Sequence, residues 1–498
     1  MDLNLWKINK HDHNKLKEYD GFIVTRFPPE PSGYLHIGHI KAIFINYVIA
    51  KKYNGKILLR FDDTNPITES EEYQLSIMED IQKLGIVFDN ISFSSDYFRK
   101  LIEYADFLVD QGLAYVDNTN KDLLKEQKQN GIESINRNNT IEKNKEIWVK
   151  LKNGEIQDFV LRIKIDMKHK NKCMRDPVIY RYIPKDHQRT KDIFKVYPSY
   201  DFSCPILDSI EEITHVYRST EFSDRDEQGI TILNMLGLRV PNYSSYGKMT
   251  FQNVLMKKRK IKEKINEGGL EGWDDPRLFT IRGVLRKGIN LEALKIYVAG
   301  LGFSKNVVNM TPDTLLSINK KYVDKLATRF NAIFINNMEN INVLQENGIY
   351  EDFLISKEVA RFIRSPNLGT RDMIYSSKII IDKDELEESD IGTEITLINW
   401  GNMFVLKENN IYVLKENLKG DFKTTKKKLS WIPNINDKDK IKILIKTYNE
   451  DNISEKIYYG EPSMKYLKKG EYVQLFKMNY YICDKEIDEN NIIVLIEI

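Results

Sequence analysis

Residues 21–61 are what most constrains this chain. Gly21-Phe-Ile-Val-Thr-Arg-Phe27 is apolar enough for a buried strand, and Pro28 to Gly33 form a proline- and glycine-rich turn. Ile40, Ile43, Phe44, Tyr47 and Val48 then recur at helical spacing, which predicts an amphipathic helix over about 37–52. Gly55 stops that helix and Lys56-Ile-Leu-Leu-Arg-Phe61 supplies a second strand. Strand, turn, helix, strand is the unit from which doubly wound α/β sheets are built. A further helix is predicted over Glu71 to Leu84.

At 498 residues the chain is too long for one core, so several domains are expected. From about Ala114 to Pro198 it is hydrophilic and interrupted, with a charged helical piece at Lys121 to Asn130 and a strand-like Phe159 to Ile165, which reads as an insertion. Ile206 to Val216 and Gly229 to Val240 resume the α/β pattern, and Leu291 to Leu301 and Thr311 to Phe334 read as helices. Beyond about Tyr350, short alternating runs such as Glu394 to Trp400 and Asn409 to Leu414 predict an all-β region. The net charge of +2 demands no polyanion, so any basic surface is local, as at Lys423 to Lys428. Cys173, Cys204 and Cys483 lie too far apart for a disulfide framework or a zinc site. The first twenty residues are polar and no run approaches the ~20 apolar residues that span a bilayer, so a cytoplasmic chain without a membrane anchor is expected.

Two clusters carry chemistry. Arg26-Phe-Pro-Pro-Glu-Pro-Ser-Gly-Tyr-Leu-His-Ile-Gly-His39 sits where strand gives way to helix, and a helix N-terminus presents free N–H groups to phosphate. Gly33 and Gly38 lack a Cβ where a backbone must approach a nucleotide, and His36 and His39 place two N–H donors there. The second cluster, Leu255-Met-Lys-Lys-Arg-Lys-Ile-Lys-Glu-Lys264, follows Gln252-Asn253. By itself it reads rather as a solvated helix face or basic surface patch. Downstream of the histidine pair, a lysine such as Lys258 supplies positive charge where a pyrophosphate departs.

At these residues the chain resembles class I aminoacyl-tRNA synthetases, and among them glutamyl-tRNA synthetases of the archaeal and eukaryotic type. His36-Ile-Gly-His39 matches the first class signature, and Leu255-Met-Lys-Lys-Arg259 stands where the family has Lys-Met-Ser-Lys-Arg, with Lys257 in place of the serine. The likeness continues through Leu59 to Pro66, Arg175 to Val178, Tyr197 to Phe202, Thr214 to Phe222, Gly272 to Arg277, Gly470 to Gln474 and Tyr480 to Asp484. It implies a multidomain α/β plus β protein: a Rossmann catalytic domain in two halves (21–113 and 199–262), an inserted acceptor-stem-binding domain (114–198), a helical connector (263–340) and anticodon-binding β-barrels (341–498), after a short polar extension (1–20).

The resemblance also implies roles. His36, His39, Lys258 and Arg259 are the catalytic residues; Gly33, His36, Gly38, His39, Met256 and Lys258 bind ATP; Arg26, Asp62, Tyr200 and Arg218 take glutamate, Asp62 meeting its ammonium. The substrates are ATP with Mg²⁺, L-glutamate and glutamate tRNA, with no dedicated metal site, no zinc, no membrane partner and a monomer expected. Related glutaminyl enzymes carry a non-arginine residue at the position of Arg218. The alternatives are such a glutaminyl-tRNA synthetase, a small nucleotidyltransferase with the same histidine pair, and a catalytically retired tRNA-binding scaffold.

Overall fold

In the computed structural model the described residues are 3–8, 10–251, 258–306, 308–449 and 452–498. They form two compact units, Met1–Arg259 with Val298–Met310, and Lys260–Tyr297 with Thr311–Ile498.

The first unit opens with helix α1 (Lys10–Glu18) and then strand β1 (Val24–Phe27), helix α2 (Ile37–Lys52), strand β2 (Lys56–Phe61), helix α3 (Glu71–Lys83) and strand β3 (Asn90–Phe93). The α2 and β2 bounds coincide with those read from periodicity, because Gly55 closes the helix with a 2.7 Å bond from its N–H to the Ala50 carbonyl. A Cβ on Gly55 would lie 2.1 Å from the Ile23 carbonyl oxygen, so only glycine lets the chain turn under β1. The first residues are not merely a polar extension: Trp6 and Leu16 are buried, and Trp6 packs edge-on against Phe44 of α2 at 5.7 Å.

β1, β2 and β3 run parallel, Val24 opposite Lys56 and Leu58 opposite Asn90. An antiparallel sheet is inserted after β3. After helix α4 (Phe98–Asp110), the insert comprises strand β4 (Ala114–Asp117), helices α5 (Lys121–Asn130) and α6 (Ile141–Lys152), and strands β5 (Val160–Ile163), β6 (Val178–Tyr182) and β7 (Val196–Pro198), β4 to β7 forming the sheet. Its Trp148, Tyr180 and Tyr197 belong to the same apolar cluster as Phe202, Ile206, Ile232 and Leu233 of the chain that follows. That chain forms helix α7 (Tyr200–Ile210), strand β8 (His215–Ser219), helix α8 (Asp224–Met235) and strand β9 (Asn242–Tyr246).

β8 and β9 are parallel to each other. β8 is tied to β1 by the Thr214 N–H to the Val24 carbonyl at 3.0 Å, while the Thr214 hydroxyl accepts from the Val24 N–H at 2.8 Å. The spatial order is therefore β3-β2-β1-β8-β9. The chain leaves β1 in one direction and returns on its other side, and in such sheets ligands bind at the carboxyl ends of the two strands flanking the reversal. Here those ends carry Arg26 and Arg218. Strand β10 (Met249–Phe251) pairs with β11 (Val308–Met310) to complete this unit.

The second unit begins with helices α9 (Lys258–Asn266), α10 (Ile281–Arg286), α11 (Leu291–Leu301) and α12 (Pro312–Leu326), the first and third of which cross its chain boundaries. The helical reading of Thr311 to Phe334 fails at its end. Ala327 leaves the helix in an extended conformation, and the next residues form strands Thr328–Phe330 and Ala332–Phe334. The buried Arg329 donates to the carbonyls of Ala327 and Asp324 and so ends the helix from outside it.

Those two short strands are the edges of one sheet of seven among the described residues. One pairs with Tyr472–Leu475, the other with Ile453–Gly460 at the opposite end. Edges joined through a single residue, Asn331, close the sheet into a barrel. Asn331 is held there by the buried Glu461, which accepts from its backbone N–H at 2.7 Å and from its side-chain amide at 3.0 Å. A second sheet closes in the same way, its edges Lys428–Leu429 and Ile432–Pro433 being joined through Ser430 and the fully buried Trp431. Closure removes the exposed edges that would otherwise invite aggregation.

Candidate active site

The first signature forms the N-terminus of α2. His36 is the N-cap: its Nδ1 accepts the Gly38 N–H at 3.1 Å, and Nδ1 of His39 accepts the His36 N–H at 3.1 Å. The reciprocal pair satisfies two otherwise orphaned helix donors. It also settles the tautomer. With both Nδ1 atoms accepting from the backbone, each neutral ring carries its proton on Nε2 and can donate outward. Burial, with Lys258 nearby, pushes His36 down to about 4, and burial with its partner ring holds His39 well below the usual imidazole range. Both are neutral at physiological pH. The rings lie 3.8 Å apart between centroids.

Lys258, the first residue of α9, reaches back to this helix start: its Nζ donates to the Ser32 hydroxyl at 2.9 Å, and burial lowers its pKa. A Cβ on Gly33 would lie 2.8 Å from Cδ of Lys258, so the room left by this glycine is taken by the lysine side chain. Gly38 gives its N–H to His36. Arg259 stands next to Lys258 in the first turn of α9. Met256 and Lys257 lie outside the described residues.

The glutamate-binding candidates divide into groups. Tyr200 and Arg218 line a small pocket with Cys204, Asp208, Arg225 and Tyr243. Arg218 gives its Nε to Asp226 at 2.7 Å and its Nη2 to the same oxygen, and its guanidinium lies over the Tyr243 ring at 5.0 Å. Asp226 is not in the pocket wall, so it holds one edge of the guanidinium and leaves the Nη1 end uncommitted to it. Arg26 stands behind this wall. It is fully buried and bound to Asp208 through Nε at 3.0 Å and Nη2 at 3.2 Å. Although burial works against its charge, Asp208 keeps it firmly protonated. Asp208 also accepts Nη2 of Arg60 at 2.6 Å, and Arg60 donates to Glu211 at 2.7 Å. Burial alone would raise the Asp208 carboxyl, yet the two arginines hold it below the usual range. Asp62, just past β2, accepts from Thr64 at 3.1 Å and Ser94 at 3.4 Å, and burial raises it to about 7 against the pull of Arg60.

Asp208, Arg60, Cys204 and Arg225 were not among the residues expected here. Tyr200, Cys204 and Asp208 fall at i, i+4 and i+8 of α7, one helix face, and an acid at the end of the apolar run Cys204-Pro-Ile-Leu-Asp208 was the available signal. The pocket encloses about 10 Å³, room for about one water. A ligand larger than a water molecule would require these side chains to move apart.

A parallel sheet reversing at β1 and β8, two neutral histidines capping the helix after β1 and a lysine laid against that cap define a nucleotide-activating α/β fold. A model described as tRNA synthetases class I (E and Q), catalytic domain, matches residues 22–325, and the anticodon-binding domain of the same family matches 327–419. The chain belongs to this family of class I tRNA synthetases. It is 40% identical over 505 residues to a probable cytoplasmic glutamate–tRNA ligase of Enterocytozoon bieneusi, covering 96% of this chain and 79% of that one. It is 39% identical to the bifunctional glutamate/proline–tRNA ligase of Mus musculus, over 96% of this chain and 33% of that one. With the cytoplasmic glutamate–tRNA ligase of Saccharomyces cerevisiae it shares 40% identity over 84% of this chain and 59% of that one.

Proposed function

We propose that this protein is a glutamate–tRNA ligase, which activates glutamate with ATP and transfers it to the 3′-terminal adenosine of glutamate tRNA. The observation that carries the choice of amino acid is Arg218 in the wall of the pocket that Tyr200 lines, its Nε and Nη2 held by Asp226. A guanidinium whose other edge has no hydrogen-bond partner among the described residues can match a carboxylate bidentately, a match an amide does not offer. In this reading the glutamate α-carboxylate attacks the α-phosphorus of ATP, and the bond to pyrophosphate breaks. His36 and His39 each offer an Nε2–H, and Lys258 its ammonium, to the phosphate oxygens as charge builds there. Mg²⁺ arrives with the nucleotide as part of the substrate. The terminal ribose hydroxyl of the tRNA then attacks the activated carbonyl and displaces AMP. The inserted sheet takes the acceptor stem, the barrels read the anticodon, and the enzyme works in the cytoplasm as its named relatives do.

Charging purified glutamate and glutamine tRNAs with each amino acid tests the reading. Glutamate on glutamate tRNA is the expected product. Glutamine on glutamine tRNA would establish the glutaminyl alternative, and no charging or exchange at all would establish the scaffold, against which Lys258 laid on Ser32 argues.

Two outcomes follow from the geometry. The pocket must open to admit glutamate, and tRNA binding energy can supply that opening, so pyrophosphate exchange is expected to require tRNA as well as glutamate. Strong exchange without tRNA would overturn this. The second concerns pH. An ammonium pairs with Asp62 only when that carboxyl is ionised, and burial has raised it to about 7. The kcat/KM for glutamate, which reports groups of the free enzyme, is expected to fall about tenfold per pH unit below about 7. A profile flat down to pH 5.5 would remove Asp62 from this role.

A further inference from the structure

Lys41 lies two residues beyond the second signature histidine, on the buried side of α2, and is only 2% exposed. Its Nζ donates to the Gly247 carbonyl at 2.7 Å and stands 5.5 Å from the centre of the Tyr246 ring. Among the described residues no carboxylate pairs with it. Burying an ammonium with one hydrogen bond is costly, and a methionine would fill the same space without that penalty. A purely packing role therefore does not account for a lysine here; the carbonyl it grips does.

Gly247 is an unusual point of the chain. It joins β9 to β10, eleven residues before Lys258. Its N–H donates to the Ser304 carbonyl at 2.6 Å, and a Cβ on it would sit 1.8 Å from the Asn306 carbonyl oxygen. The backbone is thus pinned from one side by the 304–306 segment and from the other by Lys41. Lys258, farther along the same segment, returns to the Ser32 hydroxyl in the turn that leads into α2. The start of α2 and the stretch of chain from Gly247 to Lys258 are thereby joined at both ends of that stretch, at Gly247 through Lys41 and at Lys258 through Ser32.

We propose that Lys41 is a positioning residue for Lys258: by holding the Gly247 carbonyl it fixes the start of the stretch of chain that carries Lys258 against the helix that carries the first signature. The inference rests on the ligase reading, because its readout is glutamate activation. A displacement of about 1 Å at a catalytic group can cost about a hundredfold in rate.

The test is a double-mutant cycle in the full chain, with glutamate, ATP, tRNA and pyrophosphate exchange. Lys41→Met is expected to lower kcat by about 10–100-fold with glutamate KM within about twofold, as for a group that acts through another. In a Lys258→Ala background the same substitution is expected to cost less than about threefold, because the group it positions is gone. Lys41→Arg, which keeps a donor and the charge, is expected to recover part of the loss. Should Lys41→Met not fold, Lys41→Leu carries the same cycle, since it too leaves the Gly247 carbonyl without its donor. An additive cycle, or an unchanged kcat in the single variant, overturns the proposal. Absence of exchange in the wild type with glutamate and tRNA would instead count against the ligase reading, so the two failures are separate results.

Discussion

Arg218→Ala is expected to lower kcat/KM for glutamate by about two to four decades while glutamine loses much less. Breaking one partner of a buried charge pair costs about 3–5 kcal/mol, because the other charge is left desolvated and alone. In the proposed reading the stranded partner is the side-chain carboxylate of the substrate. The Arg218 guanidinium is largely buried, with Nε and Nη2 already given to Asp226, so its Nη1 end is held in one orientation. Arg218→Lys is not a repair, since a point ammonium cannot keep Asp226 on one edge and a carboxylate on the other. Asp226→Asn removes the constraint but not the charge, and its loss should be smaller than that of Arg218→Ala. Kinetics for both amino acids with wild type and variants decide the matter. Glutamate charging that survives Arg218→Ala within a few-fold would make Arg218 structural and remove the main physical argument against a glutaminyl enzyme.

What could be read from the residues alone was what depends on local spacing. The α2 and β2 bounds, the charged helix Lys121–Asn130 and the helix Leu291–Leu301 all appear where periodicity and glycine placement put them. The end of α12 was misread because its stop is tertiary: Arg329 caps it from the following strand, and Thr328 to Phe334 become strands because distant segments of the chain pair with them. The first signature was legible because its chemistry sits in one stretch of sequence. The wall behind the pocket was not. Arg26, Arg60 and Asp208 come from two strands and a helix up to 182 residues apart, and only the sheet order brings them into one buried network. Arg26, expected at the substrate, accordingly stands one layer back, with Asp208 and Cys204 between it and the pocket.

The other large effect is expected at Lys258. Lys258→Ala should lower kcat for adenylate formation by about 2–4 kcal/mol of barrier, the range seen when a donor aimed at transition-state charge is removed, with little change in glutamate KM. The asymmetry follows from where the ammonium stands. It lies beside the histidine cap, 2.9 Å from the Ser32 hydroxyl, and is not among the residues of the Tyr200 and Arg218 pocket. With glutamate in the Tyr200 and Arg218 pocket and ATP at the start of α2, as proposed, ground-state glutamate gains nothing from it, whereas phosphate oxygens gaining charge gain most. Burial has lowered its pKa, so part of the cost of bringing this cation to the site is already met by the fold. Gly33→Ala offers an independent check on the same geometry. An added methyl 2.8 Å from Cδ of Lys258 must displace that side chain, so it should slow exchange in the wild type and have little further effect once Lys258 is alanine. If Lys258→Ala instead raised glutamate KM and left kcat intact, the lysine would be binding substrate and the pairing of the two signatures around one departing pyrophosphate would be wrong.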